Sequence, residues 1–424
     1  MPARYFIETL GCPKNQVDSE KIAGSLLAEG YVAAEGPEVA DLVVVNTCAF
    51  IDAARAESVE TILALEASRH PGARLVVTGC LAARSGSELA AAIPEIDLVA
   101  DVGVPVTLRD RRVVADPARR SSLDLLELAR PPAGAPWAYV KVAEGCDRAC
   151  GFCAIPSFRG PQRSREEAAI LAEVDALAVP EVVLVAQDLG SYGRDLGRPG
   201  ALVGLVNTLA QTVERVRLLY LYPSALTDPL IEAICGTGVV YFDLSLQHTS
   251  RQLLRAMRRP GGADRFLERI AAIRRAAPDA AFRSSFIVGY PGEQEEDHDE
   301  LLGFLAAARL DWAGFFPFSP EEGTAAAGLD KQVPRELALE RLREAAALQD
   351  SITAARRAEL VGTRASVLLD APGVGRSHRE APEIDGVIRV PGALGVGTTV
   401  EVEIVASEGP DLVARPLEPS GAAR

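Results

Sequence analysis

The sequence predicts an α/β protein with three parts: an N-terminal parallel-sheet βα domain, a central (β/α) partial TIM barrel and a small C-terminal all-β barrel. Two observations carry this prediction. Apolar runs such as LVVVN alternate with helical stretches along most of the chain, which is typical of parallel sheets buried on both faces. Beyond Gly362 the pattern changes to short β segments broken by Gly and Pro, as in small barrels.

The N-terminal domain is expected to span 1–130. Its predicted strands are 5–10, 42–47 and 75–78, and its predicted helices are 17–29, 53–68 and 85–92. Each strand is followed by a cysteine, namely Cys12, Cys48 and Cys80. Open α/β sheets bind their ligands at the carboxyl ends of strands. Three cysteines that are far apart in the sequence can therefore converge on one point.

The stretch ARPPAGAP at 129–136 is typical of a linker, and the central domain is expected to span 131–333. Its predicted strands are 138–142, 182–186, 218–222, 240–246, 282–288 and 313–318. Helices separate them, and one is predicted to begin at a capping box formed by Ser164 and Glu167. Such alternation predicts a (β/α) barrel or partial barrel, whose chemistry lies at the carboxyl ends of its strands.

Helical periodicity without internal Gly or Pro predicts a connecting helix over 334–360. The last domain, 361–424, contains the β segments ASVLLD, GVIRV and TVEVEIV, which suggest a barrel of roughly five strands. From Gly362 onward the chain has nine acidic and six basic residues. This domain is therefore mildly acidic.

Bulk composition excludes several classes of protein. The net charge of −15 makes nucleic acid an unlikely direct substrate and favours a basic protein partner. The sequence shows no secretory leader and no long apolar span, so we expect a cytoplasmic protein without a membrane association. An odd number of cysteines, seven, indicates metal or catalytic thiols rather than disulfides in that compartment.

A compact set of cysteines, Cys146, Cys150 and Cys153, lies in the run EGCDRACGFC after the first barrel strand. Iron–sulfur cubes normally take four thiolates, one per iron, so a triplet leaves one iron without a protein ligand. Zinc would need a fourth Cys or His nearby, and the four histidines, at positions 70, 248, 298 and 378, are isolated. The spacing favours an open iron–sulfur cluster.

This spacing, with Phe152 before the last cysteine, resembles the radical S-adenosylmethionine (SAM) enzymes. In that superfamily a three-cysteine 4Fe–4S cluster binds SAM at its open iron and cleaves it to a 5′-deoxyadenosyl radical. The segments VAQD, LSLQH and FIVGYPGE resemble the SAM-contacting strand ends of the superfamily. The cofactor-binding residues that the resemblance implies are Gln187, Gln247, Gly289, Gly292 and Glu293. Gln187 and His248 are equally compatible with hydrogen-bonded core residues, and the two glycines with a plain turn.

The domain order resembles one family over nearly the full length, the methylthiotransferases, whose C-terminal β-barrel is called TRAM. The resemblance implies that Cys12, Cys48 and Cys80 ligate an auxiliary 4Fe–4S cluster whose open iron carries the sulfur to be transferred. One SAM methylates that sulfur, and a second SAM, on the other cluster, provides the radical. The implied cofactors are two 4Fe–4S clusters and SAM. The implied partners include an external electron donor and a sulfur donor, and no catalytic side chain beyond the cluster ligands is assigned.

Lone cysteines are normally interpreted as buried small hydrophobes, as Cys235 in LIEAICG is. The three dispersed cysteines differ in that each ends a strand and has a Gly, Thr or Asn neighbour. A non-catalytic iron–sulfur electron carrier or scaffold is an alternative interpretation of the six cysteines. A carrier needs no substrate cavity, so the barrel and the SAM-like segments favour an enzyme.

The stretches GCPKNQVDSE, NTCAFIDAAR and AIPSFRGPQRSR resemble the RimO-type branch, which modifies an aspartate β-carbon of small-subunit ribosomal protein S-twelve. The alternative, the MiaB-type branch acting on tRNA adenosine, usually has Gln-Met-Asn where Pro13, Lys14 and Asn15 stand. Arg159, Arg163 and Arg165 are candidates for holding a substrate carboxylate. The competing interpretation is that they are solvated or paired with Glu166 and Glu167.

Overall fold

The computed structural model describes residues 2–102, 106 and 124–417. Parts of the expected N-terminal and C-terminal domains lie outside the described residues. The strands are β1 (Arg4–Thr9), β2 (Val32–Ala33), β3 (Leu42–Thr47), β4 (Arg74–Gly79), β5 (Leu98–Val99), β6 (Trp137–Lys141), β7 (Ala143–Glu144), β8 (Arg163–Ser164), β9 (Glu181–Val185), β10 (Arg215–Leu218), β11 (Tyr241–Gln247), β12 (Ala281–Val288), β13 (Trp312–Pro317), β14 (Arg364–Ala371), β15 (Val374–Arg376), β16 (Ile388–Arg389), β17 (Thr399–Glu408) and β18 (Asp411–Pro416). The α-helices are α1 (Pro13–Ala28), α2 (Asp52–Ser68), α3 (Cys80–Ala92), α4 (Ile155–Arg159), α5 (Glu167–Leu177), α6 (Ala201–Leu209), α7 (Asp228–Cys235), α8 (Arg251–Ala256), α9 (Ala263–Ala276), α10 (Glu295–Ala308) and α11 (Arg335–Ala358).

The N-terminal sheet is parallel throughout and has the strand order β2-β1-β3-β4-β5. Its central strand β3 is completely buried. Successive side chains of a strand point to opposite faces, so Val43 and Val45 join one apolar core while Leu42 and Val44 join another. A sheet covered on both faces explains the unbroken apolar run of β3.

Two helices of this domain begin earlier than the sequence predicted. Helix α1 begins at Pro13. The N–H groups of the first helical turn have no partner within the helix, so proline, which lacks an N–H, is well suited to this position. Helix α3 begins at Cys80, and a non-helical Ser85 (φ −136°) interrupts it at the predicted start. Cys12 therefore caps one helix, and Cys80 opens another.

The central domain is a six-stranded partial barrel. Strands β10-β9-β6 and β11-β12-β13 form two parallel sheets, and a parallel bridge between Leu221 and Leu244 joins them. The predicted strand 218–222 is wrong in position, because β10 covers Arg215–Leu218. Arg215 and Arg217 are buried there beside Glu181 of the neighbouring strand.

The predicted capping box at Ser164 is also wrong. The Ser164 hydroxyl instead donates to Asp195 at 2.6 Å, and Ser164 belongs to the short strand β8. Helix α5 begins at Glu167 with Glu166 as its N-terminal cap residue, and no side chain caps it.

The C-terminal domain is a closed five-stranded barrel, β14-β15-β16-β18-β17. Its loop 377–387 fills the amino-terminal end of the central barrel. Ala381 is fully buried among the barrel residues Trp137, Tyr139 and Tyr241, and Tyr241 donates to Asp385 at 2.6 Å. The C-terminal domain thus covers the end of the partial barrel that is remote from its carboxyl strand ends.

Within the residues that the structure describes, no helix combines the length and apolar character that a membrane span requires.

Candidate iron–sulfur site

The structure brings Cys12, Cys48 and Cys80 together at the carboxyl ends of the adjacent strands β1, β3 and β4. Gly11 (φ +93°) turns the chain after β1, and a Cβ on it would lie 2.8 Å from the Cys48 sulfur. Gly79 (φ +92°), the last residue of β4, turns the chain before Cys80, and a Cβ on it would lie 2.3 Å from the Asn46 Oδ1. Glycine is therefore required at both turns for the cysteines to approach one another.

Side chains of two helices fix the loops that hold these cysteines. Asn15 of α1 donates to the carbonyls of Leu10 at 2.9 Å and Thr47 at 3.0 Å, which ties together the ends of β1 and β3. Ser58 of α2 accepts from the Cys48 N–H at 3.0 Å and donates to its carbonyl at 2.8 Å. The auxiliary triplet, as we call Cys12, Cys48 and Cys80, is thus held by buried hydrogen bonds.

The thiols of the auxiliary triplet influence one another electrostatically. Burial raises the pKa of Cys48 to about 11, and the neighbouring Cys12 and Cys80 add to this rise. Burial alone would also raise the pKa of Cys12, but the positive charges of Lys14 and Arg159 and two backbone N–H groups lower it. The three sulfurs therefore share one electrostatic environment.

The compact triplet, Cys146, Cys150 and Cys153, lies in the loop after β7. The Gly151 N–H donates to the Met257 carbonyl at 2.9 Å, and a Cβ at this glycine would lie 2.8 Å from the Ala256 carbonyl oxygen. Burial raises the pKa of Cys146 to about 11 and that of Cys153 to about 12, and neighbouring thiols contribute to both shifts. These sulfurs are also close to one another.

Arg159 connects the two domains at the auxiliary triplet. It follows the compact triplet in the sequence, in helix α4, yet its guanidinium lies 3.0 Å from the Cys80 sulfur and 2.7 Å from the Asn15 Oδ1. It is buried, with Asp18 at 2.9 Å and Glu144 at 3.2 Å. Lys141 of the barrel pairs with the same two carboxylates.

Arg159, Arg163 and Arg165, the candidates for holding a substrate carboxylate, are all paired with carboxylates of the chain itself. Arg163 lies against Asp124, and Arg165 lies 2.8 Å from Glu173. The competing interpretation, that they are solvated or paired, is right for the exposed Arg163, but the expected partners Glu166 and Glu167 are wrong, since Glu166 pairs with Arg198.

Gln187 and Gln247 lie at the exits of β9 and β11, at the same end of the barrel as the compact triplet. Gln187 donates to the Glu144 carboxylate at 2.7 Å, and its Oε1 is buried without a hydrogen-bond partner among the described residues. Gln247 has a left-handed backbone (φ +72°), a conformation that non-glycine residues rarely adopt. His248 is a fully buried residue whose pKa burial lowers to about 4, so it is neutral.

The segment from Gly289 to Glu293 forms the turn after β12. Gly289 (φ +73°) packs against α11, where a Cβ would lie 2.4 Å from Ala338. Gly292 (φ +86°) has open space around it. The Glu293 carboxylate is buried, accepts from the Tyr290 N–H at 3.0 Å and pairs with Arg341 at 3.1 Å.

Sequence reasoning missed Glu321 as a second connection between the domains. Glu321 is buried, and its carboxylate contacts both Arg55 of α2 and Arg84 of α3, the latter at 2.6 Å. Arg84 also donates to the Ala49 carbonyl at 3.1 Å, next to Cys48. The run FSPEEGT contains this residue, but nothing local in it identifies which glutamate is buried.

The described residues contain no group of three His, Cys, Asp or Glu side chains spaced to hold a single metal ion. The thiolates of an iron–sulfur cube bind different irons, so a cube does not require that spacing. The donor chemistry of both triplets fits such a cube, because soft thiolates select iron–sulfur clusters over hard cations.

Family profiles match all three parts of the chain. The profile of the uncharacterized protein family UPF0004 matches residues 4–101, that of the radical SAM superfamily residues 140–305 and that of the TRAM domain residues 361–417. Among solved structures, the chain is similar to the radical SAM methyltransferase TsrM of Kitasatospora setae, solved with its tryptophan substrate and a SAM analogue. The match covers 83% of this chain and 89% of the TsrM chain. Its TM-score is 0.50 at 14% identity, which indicates a shared fold.

Two similar relatives carry the name ribosomal protein uS12 methylthiotransferase RimO. The protein of Saccharopolyspora erythraea is 42% identical over 463 aligned positions, covering 98% of this chain and 95% of the relative. The protein of Moorella thermoacetica is 46% identical over 408 aligned positions, covering 92% of this chain and 93% of the relative. With its profile matches and both cysteine triplets, the chain belongs to the RimO family of radical SAM methylthiotransferases.

Proposed function

We propose that this chain places a methylthio group on the β-carbon of an aspartate of ribosomal protein uS12. The observation that carries the proposal is the pair of cysteine triplets in two adjoining domains: one lies at the carboxyl ends of three parallel strands, and the other lies in a single loop of the partial barrel. Similarity to the RimO relatives over nearly the whole chain supports the same activity.

We propose further that each triplet ligates one 4Fe–4S cluster. A cube with three protein thiolates leaves one iron free for an external ligand. An arginine N–H lies near one sulfur of each triplet: Arg159 is 3.0 Å from Cys80, and Arg259 is 3.6 Å from Cys150. Such donors stabilise the negative charge that thiolate-bound clusters carry and orient their ligands.

When bound, the clusters and SAM supply the sulfur and a radical that takes hydrogen from an unactivated C–H bond, which no side-chain base can deprotonate. The tasks of this chain are ligation, orientation and exclusion of water. Arg159 holds the N-terminal domain against the barrel on one side of the auxiliary triplet, and Glu321 holds it on the other. The Arg159 contacts and the Glu321 carboxylate are buried, and together they hold the two triplets in a fixed relative position.

We propose that SAM lies at the compact triplet within reach of the strand-end residues Gln187, Gln247, Gly289, Gly292 and Glu293. Gln187 offers an unpaired buried oxygen, and Gln247 offers a side chain on a strained strand exit. Strain of this kind clusters at ligand sites. Glu293 is already bound to Arg341, so we expect it to shape the turn around SAM rather than to contact SAM through a free carboxylate.

The C-terminal barrel favours a basic protein over tRNA as the substrate. The barrel arginines Arg389 and Arg415 pair with acidic residues of the same barrel, and Arg376 is buried against Glu181. These cations are therefore committed to carboxylates, whereas RNA binding depends on cations that contact phosphates.

We propose the bounds 1–130, 131–333, 334–360 and 361–424 for the N-terminal domain, the radical SAM domain, the connecting helix and the TRAM-like barrel. An external electron donor must reduce the compact cluster, and a sulfur donor must replenish the auxiliary one. The cytoplasm, where ribosomal proteins are made and assembled, is the proposed location.

Mass spectrometry of a deletion strain of the source organism tests this function. We expect uS12 from that strain to lack one methylthio group, and expression of the chain to restore it on one aspartate. A loss of methylthio groups from tRNA instead would indicate the MiaB-type activity. If the anaerobically reconstituted, reduced protein left SAM intact, the non-catalytic electron carrier would be the better interpretation.

A further inference from the structure

Among the described residues, Lys14 differs from the two fully buried lysines in having no carboxylate partner. Lys21 and Lys141 are buried and pair with Glu173 at 2.8 Å and Asp18 at 2.6 Å, and Lys331 is exposed. Lys14 is half-buried, and among the described residues its ammonium contacts no carboxylate and no hydrogen-bond acceptor. It lies 3.5 Å above the centre of the Tyr220 ring.

Tyr220 places this lysine between the two triplets. It lies just beyond β10 with a left-handed backbone (φ +65°), and its N–H donates to Asp243 at 2.9 Å. Two residues later, the Tyr222 ring lies between the guanidinium groups of Arg148 and Arg259, each 4.0 Å from its centre. The strand exit 219–222 therefore runs from Lys14, beside Cys12, to Arg259, beside Cys150.

The carboxylates near the space between the two triplets are already paired with cations of the chain. Asp243 pairs with Arg283 at 3.2 Å, and Asp188 pairs with Arg148 at 2.6 Å. Asp18 and Glu144 are shared by Lys141 and Arg159, as described above. The Lys14 ammonium thus lies over the Tyr220 ring and near the Cys12 sulfur, without a carboxylate partner among the described residues. A partly desolvated ammonium in such a place favours an incoming anion.

We propose that Lys14 binds the carboxylate of the substrate aspartate and so determines the preference for an acidic side chain. This inference rests on the proposed function. The reacting β-carbon is bonded directly to the carboxylate carbon, so anchoring the carboxylate fixes the position of the β-hydrogens. A lysine suits this task, because its ammonium is a compact charge with three donors on a flexible stem.

The carboxylate of SAM is a second candidate for the anion that Lys14 binds. Lys14 lies beside Cys12 of the auxiliary triplet, whereas Arg148 and Arg259 lie beside the compact triplet, where SAM is proposed to bind. The position of Lys14 therefore favours the substrate over SAM.

The test compares wild type, Lys14→Met and Lys14→Arg, with Lys331→Met as the matched control on an exposed lysine. Two uS12 peptides serve as substrates, one with the target aspartate and one with asparagine, its neutral isostere. We expect wild type and Lys331→Met to prefer the aspartate peptide. Lys14→Met should raise KM for that peptide by roughly tenfold or more and lose the preference, and Lys14→Arg should restore part of it.

The outcomes separate this inference from the proposed function. If wild type modified neither peptide, the proposed function would fail. If wild type modified the aspartate peptide but Lys14→Met kept both its KM and its preference, the inference alone would be wrong. It would also be overturned if wild type used both peptides equally, if Lys14→Met lost cluster iron, or if its main change were a raised KM for SAM.

Discussion

Arg159 and Cys80 lie 3.0 Å apart, guanidinium nitrogen to sulfur, although one belongs to the radical SAM domain and the other to the N-terminal domain. Burial raises the pKa of the Cys80 thiol, and the charge and hydrogen bond of Arg159 oppose that rise. The arginine thereby favours the thiolate that a cluster needs. It also belongs to the ion group of Asp18, Lys141 and Glu144, so the auxiliary triplet and the barrel share one buried contact.

Replacement of Arg159 by Met should lower the reduction potential of the auxiliary cluster, because a positive donor near a thiolate ligand favours the reduced cluster. A hydrogen bond to a charged group is worth about 1.5–3 kcal/mol. Only its difference between the two oxidation states changes the potential, so the shift should not exceed roughly 65–130 mV for one electron. The measurement is a redox titration followed by electron paramagnetic resonance, in a background with Ala at the three compact-triplet cysteines. Arg163→Met, at an exposed pair, is the control, and an equal potential in both variants would contradict this role.

Replacement of Glu321 by Gln should loosen the N-terminal domain from the barrel, because it leaves Arg55 and Arg84 without their shared carboxylate. Both arginines are partly exposed, so the cost should lie below about 3–5 kcal/mol, the cost for a fully buried ion pair. We expect a lower free energy of unfolding and less methylthiolated peptide per SAM cleaved. The neighbouring Glu322 is exposed, so Glu322→Gln should change neither quantity, and equal behaviour of the two variants would refute the contact.

Acid should destabilise the contact between the central and C-terminal barrels. Burial alone would raise the pKa of Glu181, but Arg376, Arg217 and Arg215 outweigh it and lower the pKa to about 2. A lowered carboxyl pKa stabilises the fold above the ordinary value of 4.5, and this stabilisation is lost as the pH falls towards 2. Between about pH 6 and about pH 3 the loss is on the order of 2 kcal/mol.

Urea unfolding across that pH range, for wild type and Glu181→Gln, measures this contribution. The variant is expected to be less stable near neutral pH, since three arginines lose their carboxylate, and to lose less stability in acid. Glu401→Gln, at an exposed position of β17, should keep the wild-type pH dependence. Parallel curves for wild type and Glu181→Gln would show that the pairing contributes nothing to acid sensitivity.

Enlarging a side chain in loop 377–387, which fills the amino-terminal end of the central barrel, should destabilise the protein. Ala381 is fully buried among Trp137, Tyr139 and Tyr241, and overpacking such a site costs about 1–3 kcal/mol. We expect Ala381→Leu to lower the thermal midpoint, whereas Ala393→Leu, at an exposed loop position of the same domain, should leave it unchanged. An unchanged midpoint for Ala381→Leu would mean that the loop does not fill the barrel end.

Sequence patterns within one segment correctly predicted the buried strands and the cysteines that follow them. The run LVVVNT became a buried central strand, and all six cysteines of the two triplets follow strands as expected. The position of β10 could not be predicted this way, because Arg215 and Arg217 resemble surface residues until Glu181 and the C-terminal domain cover them.

Long-range packing likewise decided which residues surround the site. Ser164 has the local sequence pattern of a helix cap, but its hydroxyl donates a hydrogen bond to Asp195, thirty-one positions away. The contact between Lys14 and Tyr220 joins two domains, and no spacing within either segment reveals it. The partners of the charged residues near the triplets therefore could not be predicted from the sequence, while the cysteines of the auxiliary triplet were brought together as predicted.

The most direct test of two open clusters is the iron and sulfide content of the anaerobically reconstituted protein. Wild type should hold about eight irons, and a variant with Ala at Cys12, Cys48 and Cys80 about four, on the stoichiometry of the four-iron cube. Cys235→Ala, which removes the cysteine outside both triplets, should keep about eight. An iron content that did not change when the auxiliary triplet was removed would contradict the account.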